Sequence, residues 1–120
     1  MDLLEIFKDS EDLVAFPAGS VIITEGQEGN QMYVVMEGEA VISLKDKDLA
    51  TAGQGEIIGE MALISSDLRS ATVTARTDCT LALIDQKSFE SMLRYVPDFS
   101  IYVINLLANR LQTAYEKIEA

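Results

Sequence analysis

Gly59-Glu60-Met61-Ala62-Leu63-Ile64-Ser65-Ser66-Asp67-Leu68-Arg69-Ser70-Ala71-Thr72-Val73 sets an acid, several small residues and an arginine within one short stretch. Gly59 lets the backbone turn tightly, and Glu60 opens a helix-compatible run whose first N–H groups have no partner inside the helix. Arg69 carries a planar fork of donors that matches two oxygens of a phosphate. An anion cradle beside a cationic clamp is phosphate-binding chemistry. Small side chains at Ala62 and Ala71 let a ligand approach the backbone, and Ser70 adds a hydroxyl. The candidate binding set is therefore Gly59, Glu60, Met61, Ala62, Arg69, Ser70, Ala71 and Thr72, with Met61, Leu63 and Thr72 also serving to pack the segment.

Working outward, the chain offers short β-rich runs at residues 20–24, 31–36, 39–44, 49–52, 57–58, 70–76 and 79–84, separated by glycine turns. Pro17-Ala18-Gly19, Glu25-Gly26-Gln27-Glu28-Gly29-Asn30 and Gly53-Gln54-Gly55 read as turns, and Lys45-Asp46-Lys47-Asp48 as a charged hairpin tip. Many short strands with regular turn signals predict a sandwich or rolled barrel. Ahead of them, Leu3 to Phe7 and Ser10 to Val14 read as short helical pieces, the second capped by Ser10.

After Asp85 the period changes. Gln86 to Tyr95 reads as a helix with Phe89, Met92 and Leu93 inward, and Pro97 suits the first turn of another. That last helix carries two stripes. Phe99, Val103 and Leu106 suit packing on the strands, whereas Ile104, Leu107, Leu111, Ala114 and Ile118 recur at the seam spacing of a helix pair. The second stripe favours a homodimer, with burial inside the domain as the alternative.

Composition narrows the chemistry. The 120 residues are 48 % hydrophobic, enough for one compact domain. There is no histidine, which removes the commonest metal ligand and general base. The lone Cys79 cannot close an internal disulfide or hold an iron–sulfur cluster, and its apolar neighbours suit a small buried side chain. With no nucleophile and base at recognisable spacing, an enzyme is disfavoured, and neither a metal nor a cofactor is expected. A net charge of −11 argues against nucleic-acid binding, which needs clustered Lys and Arg. Exposed carboxylates are screened beyond about 8 Å at physiological salt, so a direct Arg69 contact would outweigh that field for a small anion. No apolar run suits a membrane span or a secretory signal, so a cytoplasmic protein is expected.

The order Gly-Glu-x-Ala-Leu at Gly59–Leu63, followed by Arg-Ser-Ala-Thr-Val at Arg69–Val73, resembles the phosphate-binding cassette of cyclic nucleotide-binding domains. The Pro17-Ala18-Gly19 turn, Glu25-Gly26, Met32-Tyr33-Val34-Val35, Gly55 and Gly59 follow the same family pattern. The resemblance implies a mainly β fold: a double-stranded β-helix, or jelly-roll-like β-roll, over residues 16–85. It adds short N-terminal helices, a cassette helix and C-terminal helices over residues 86–95 and 97–118, in a single domain over residues 1–120. It implies that Arg69 takes the cyclic phosphate and Glu60 the ribose 2′-hydroxyl. Serine at position 70 favours cyclic AMP over cyclic GMP.

The family pattern is broken at Leu68, where proline often stands, and at Ala114 and Tyr115, which replace small hydroxyl residues that meet adenine in the cyclic AMP receptor protein. For the base, Tyr115 is expected to stack, with Asn109 or Thr113 in polar contact; the alternative is a tyrosine covering the dimer seam. No helix-turn-helix is expected after position 120. The function expected is a stand-alone or excised cyclic nucleotide sensor whose last helix moves on binding. The alternative is a degenerate, non-binding β-roll for interaction or dimerisation.

Overall fold

The computed structural model describes residues 1–64 and 68–119; Ser65, Ser66 and Asp67 of the cassette and Ala120 of the expected domain lie outside them. The elements in chain order are α1 (Leu3–Phe7), β1 (Leu13–Phe16), β2 (Val21–Ile23), β3 (Gln31–Glu37), β4 (Ala40–Leu44), β5 (Lys47–Ala52), β6 (Ile57–Ile58), α2 (Met61–Ile64), β7 (Thr72–Ala75), β8 (Cys79–Asp85), α3 (Gln86–Tyr95) and α4 (Phe99–Glu119). The strands form two antiparallel sheets, ordered β1-β8-β3-β6 and β2-β7-β4-β5.

Strands β3 and β8 carry apolar side chains on both faces. Tyr33, Val35, Cys79 and Leu81 belong to the core shared with Ile23, Ala40, Val73 and Ala75 of the other sheet. Their neighbours Met32, Val34, Ala82 and Ile84 belong to a second core, with Leu3, Phe89, Phe99, Val103 and Leu106 from the helices. The alternation that builds a strand thus fills two cores at once.

Four local expectations are corrected. Leu13 and Val14, expected in a helix, form β1: Leu13 pairs with Ala82 and Phe16 with Cys79, and the Ser10 hydroxyl accepts from the Asp12 N–H in a short turn. Pairing with β8 outweighs an isolated helix too short to be stable. Strand β5 begins at Lys47 instead of Leu49, because Lys45 (φ 50°) and Asp46 (φ 64°) are both left-handed, a combination suited to a two-residue hairpin turn. Pro97 sits in the turn before α4, and Leu93 on α3 is exposed whereas Phe89 and Met92 are buried.

Helix α3 starts where Asp85 Oδ1 accepts the Ser88 N–H at 2.8 Å, and this contact lowers the Asp85 pKa. Helix α4 is fixed by Phe99, whose ring meets Phe89 edge to face at 5.8 Å between centroids. Its Tyr102 hydroxyl donates to the Gly55 carbonyl at 2.6 Å, and Lys117 Nζ donates to the Asp48 carbonyl at 2.8 Å. These anchors lay α4 against β5. Of the expected seam, Ile104, Leu111 and Ile118 are exposed, as are Ile101 and Tyr115. Leu107 and Ala114 are half-buried and face the hollows described below. Among the described residues no helix is long and apolar enough to cross a membrane.

Candidate functional site

A cavity of about 210 Å³ lies between the β2-β7-β4-β5 sheet, the cassette and α4. Its walls include every residue of the expected binding set except Thr72. The Thr72 hydroxyl accepts the Glu25 N–H at 3.1 Å and donates to Glu25 Oε1 at 3.0 Å, so it braces the neighbouring turn. Aliphatic walls come from Ile23, Ile42, Leu49, Val73 and Leu107.

The backbone of Arg69 is stitched to the turn after β2: its N–H donates to the Gln27 carbonyl at 2.7 Å, and its carbonyl accepts the Gly26 N–H at 2.9 Å. The side chain runs into the interior, where Nη1 donates to the Gly59 carbonyl at 3.0 Å. Arg69 is only 9 % exposed, and among the described residues no carboxylate lies within ion-pairing distance of it. Burial pulls its pKa below the ordinary guanidinium value, opposed by the fields of Tyr33 and Glu60. Gly29 makes room for this side chain: a Cβ there would stand 2.1 Å from Arg69 Nε. Gly59, at φ +81°, would place a Cβ 2.9 Å from Arg69 Nη1.

Glu60 is 4 % exposed. Its Oε1 accepts from Arg110 Nη1 at 3.2 Å, while Arg110 Nη2 donates to the Ile57 carbonyl. Glu60 Oε2 and Arg110 Nε are both buried and have no hydrogen-bond partner among the described residues. Buried polar groups are rarely left so, because an unmade bond costs about 1–3 kcal/mol. The cavity therefore offers a spare acceptor and a spare donor beside a desolvated cation. With Glu60 negative and Arg69 and Arg110 positive, its formal charge is one positive, matched to a monoanion.

Arg110 was not among the residues singled out from sequence. Its signal is its place at helical spacing after Val103 and Leu106, which puts it on the buried side of α4. The residues expected at a base lie elsewhere. Asn109 lines a separate hollow with Tyr102 and Asp98, the Thr113 hydroxyl donates to the Asn109 carbonyl at 3.0 Å, and Tyr115 is exposed.

A β-roll holding a desolvated arginine beside a carboxylate with a free oxygen has the makeup of a small-anion receptor. Residues 13–95 match the family description "cyclic nucleotide-binding domain", and the chain belongs to that family. Over 96 % of its length it is 31 % identical to the cAMP-activated global transcriptional regulator CRP of Salmonella typhimurium, of which it spans 58 %. Over 71 % of its length it is 38 % identical to the cAMP-dependent protein kinase regulatory subunit of Schizosaccharomyces pombe, of which it spans 21 %. A solved cyclic nucleotide-binding domain from Methylobacillus flagellatus superposes with a TM-score of 0.74 at 26 % identity, covering 88 % of this chain and 65 % of that one. The jelly-roll-like β-roll is thus the family's fold.

Proposed function

We propose that this domain is a receptor for a 3′,5′-cyclic nucleotide, cyclic AMP ahead of cyclic GMP, that signals through α4 and catalyses no reaction itself. The observation that carries the reading is the buried Arg69, without a carboxylate partner among the described residues, in one cavity with the unpartnered Glu60 Oε2. Arg69 takes the exocyclic phosphate oxygens, Glu60 Oε2 accepts from the 2′-hydroxyl, and Gly59, Ala62, Ser70 and Ala71 let the sugar-phosphate sit close to the backbone. A cyclic phosphodiester carries one negative charge, which the cavity neutralises; a phosphate monoester would leave excess charge buried. The two curated relatives described above are named as cAMP-activated and cAMP-dependent. For about 22 non-hydrogen atoms at ~0.3 kcal/mol each, the affinity falls in the micromolar range.

Helix α4 supplies Leu107 and Arg110 to the cavity, so ligand contacts alter the balance between seatings of this helix. Adding cyclic AMP is expected to slow backbone hydrogen exchange over residues 101–118; unchanged exchange there would refute the coupling. Competition by 5′-AMP or 2′-deoxy cyclic AMP as strong as that of cyclic AMP would refute the assigned roles of Arg69 and Glu60. Gly29→Ala forces the Arg69 guanidinium aside, and we expect at least tenfold weaker binding with little change in melting temperature. Affinity equal to the parent would show that Arg69 does not hold the phosphate.

The exposed apolar line Ile104, Leu111 and Ile118, extended by Ile101 and Tyr115, serves as a homodimer seam, with Leu107 and Ala114 at its cavity edge. Leu111→Glu is expected to convert dimer to monomer in sedimentation analysis; a parent protein that is already monomeric at high concentration would remove the seam.

A further inference from the structure

The cavity opens toward a second hollow of about 320 Å³, the two sharing Ile42, Leu49, Met61, Leu107 and Arg110 as walls. The second hollow adds Ala50, Leu111 and Ala114. Apart from Arg110, every described side chain on it is apolar. A sugar-phosphate seated on Glu60 and Arg69 leaves this hollow as the place for the base.

Base identity is read by donors and acceptors aimed at the base edge, and the described residues give the hollow almost none. Asn109 belongs to another hollow, the Thr113 hydroxyl is engaged with the Asn109 carbonyl, and Ser70 lines only the first cavity. Arg110 has committed Nη1 to Glu60 and Nη2 to the Ile57 carbonyl. Its unpartnered nitrogen, Nε, can meet a ring-nitrogen acceptor, and adenine and guanine both carry one at N7. The aliphatic walls hold the faces of any purine by dispersion and apolar burial, and the base edge is left to water.

We infer that the site is selective for the cyclic ribose-phosphate and tolerant of the purine on it: cyclic AMP, cyclic IMP and cyclic GMP all bind. This rests on the cyclic nucleotide reading above. Guanine brings more polar edge groups than adenine, so burial disfavours it modestly and cyclic AMP stays ahead. An apolar pocket resolves such analogues by no more than about a hundredfold, whereas sites that hydrogen-bond the distinguishing group reach about 10⁴-fold or more.

Calorimetric titration of the full chain with these three cyclic purine nucleotides tests it, alongside the Leu107→Ala variant. Dissociation constants within about a hundredfold of one another, all weakened by a similar factor in Leu107→Ala, are expected. A preference above that limit, or a Leu107→Ala loss confined to one base, overturns the inference while leaving the receptor reading standing. Failure of all three nucleotides to bind the parent overturns the receptor reading and this inference with it.

Discussion

Arg69→Met is expected to abolish useful cyclic nucleotide binding without lowering the melting temperature of the ligand-free protein, and to raise it. In the free protein the guanidinium is desolvated, and among the described residues it has no carboxylate partner and makes one hydrogen bond, to the Gly59 carbonyl. Methionine keeps much of the aliphatic volume and removes the buried charge, which favours the folded state. The bound state suffers the reverse, since the phosphate would enter the cavity without its cation. Truncating one partner of a buried charge pair costs about 2–5 kcal/mol, a loss of roughly thirtyfold to several thousandfold in affinity. Titration and thermal unfolding of the same two proteins check both halves. A large fall in melting temperature would make Arg69 a structural strut.

Arg110→Ala is expected to have the opposite signature, a large loss of stability in the free protein. Glu60 is fully enclosed, and its only ion-pair partner among the described residues is Arg110. Breaking a buried pair by removing one member costs about 3–5 kcal/mol, which for a domain of this size lowers the melting temperature by roughly 10–25 °C. The variant also loses the donor to the Ile57 carbonyl. Removing both charges, as Glu60→Leu with Arg110→Leu, should recover most of the stability, because no charge is then stranded. The double variant should still fail to bind, having lost the 2′-hydroxyl acceptor. If it is as unstable as the two single changes added together, the pair is not what links α4 to the cassette.

The cassette was legible because its chemistry is local: Gly59, Glu60, Ala62, Arg69, Ser70 and Ala71 are near one another in the chain and all reach one cavity. The strands were legible for the same reason, since glycine turns and period-two alternation are short-range signals. What escaped was whatever depends on distant pairing. Leu13 and Val14 become a strand because Leu81 and Ala82 stand across from them. Arg110 joins Glu60 across fifty residues of sequence, and no local pattern names that partner. In sequence Gly29 reads as one more turn glycine, and only the fold brings Arg69 into the space above it. The two faces of α4 were visible in its periodicity, but their division was not: Leu107 and Ala114 line the hollows, and Ile101 and Tyr115 join the exposed line.

The account stands most directly on a calorimetric titration of the unmodified chain with cyclic AMP. It predicts one nucleotide per chain with a dissociation constant in the micromolar range, and no comparable heat with 5′-AMP. Absence of binding heat with cyclic AMP up to millimolar concentration, together with an unshifted melting temperature, would contradict it.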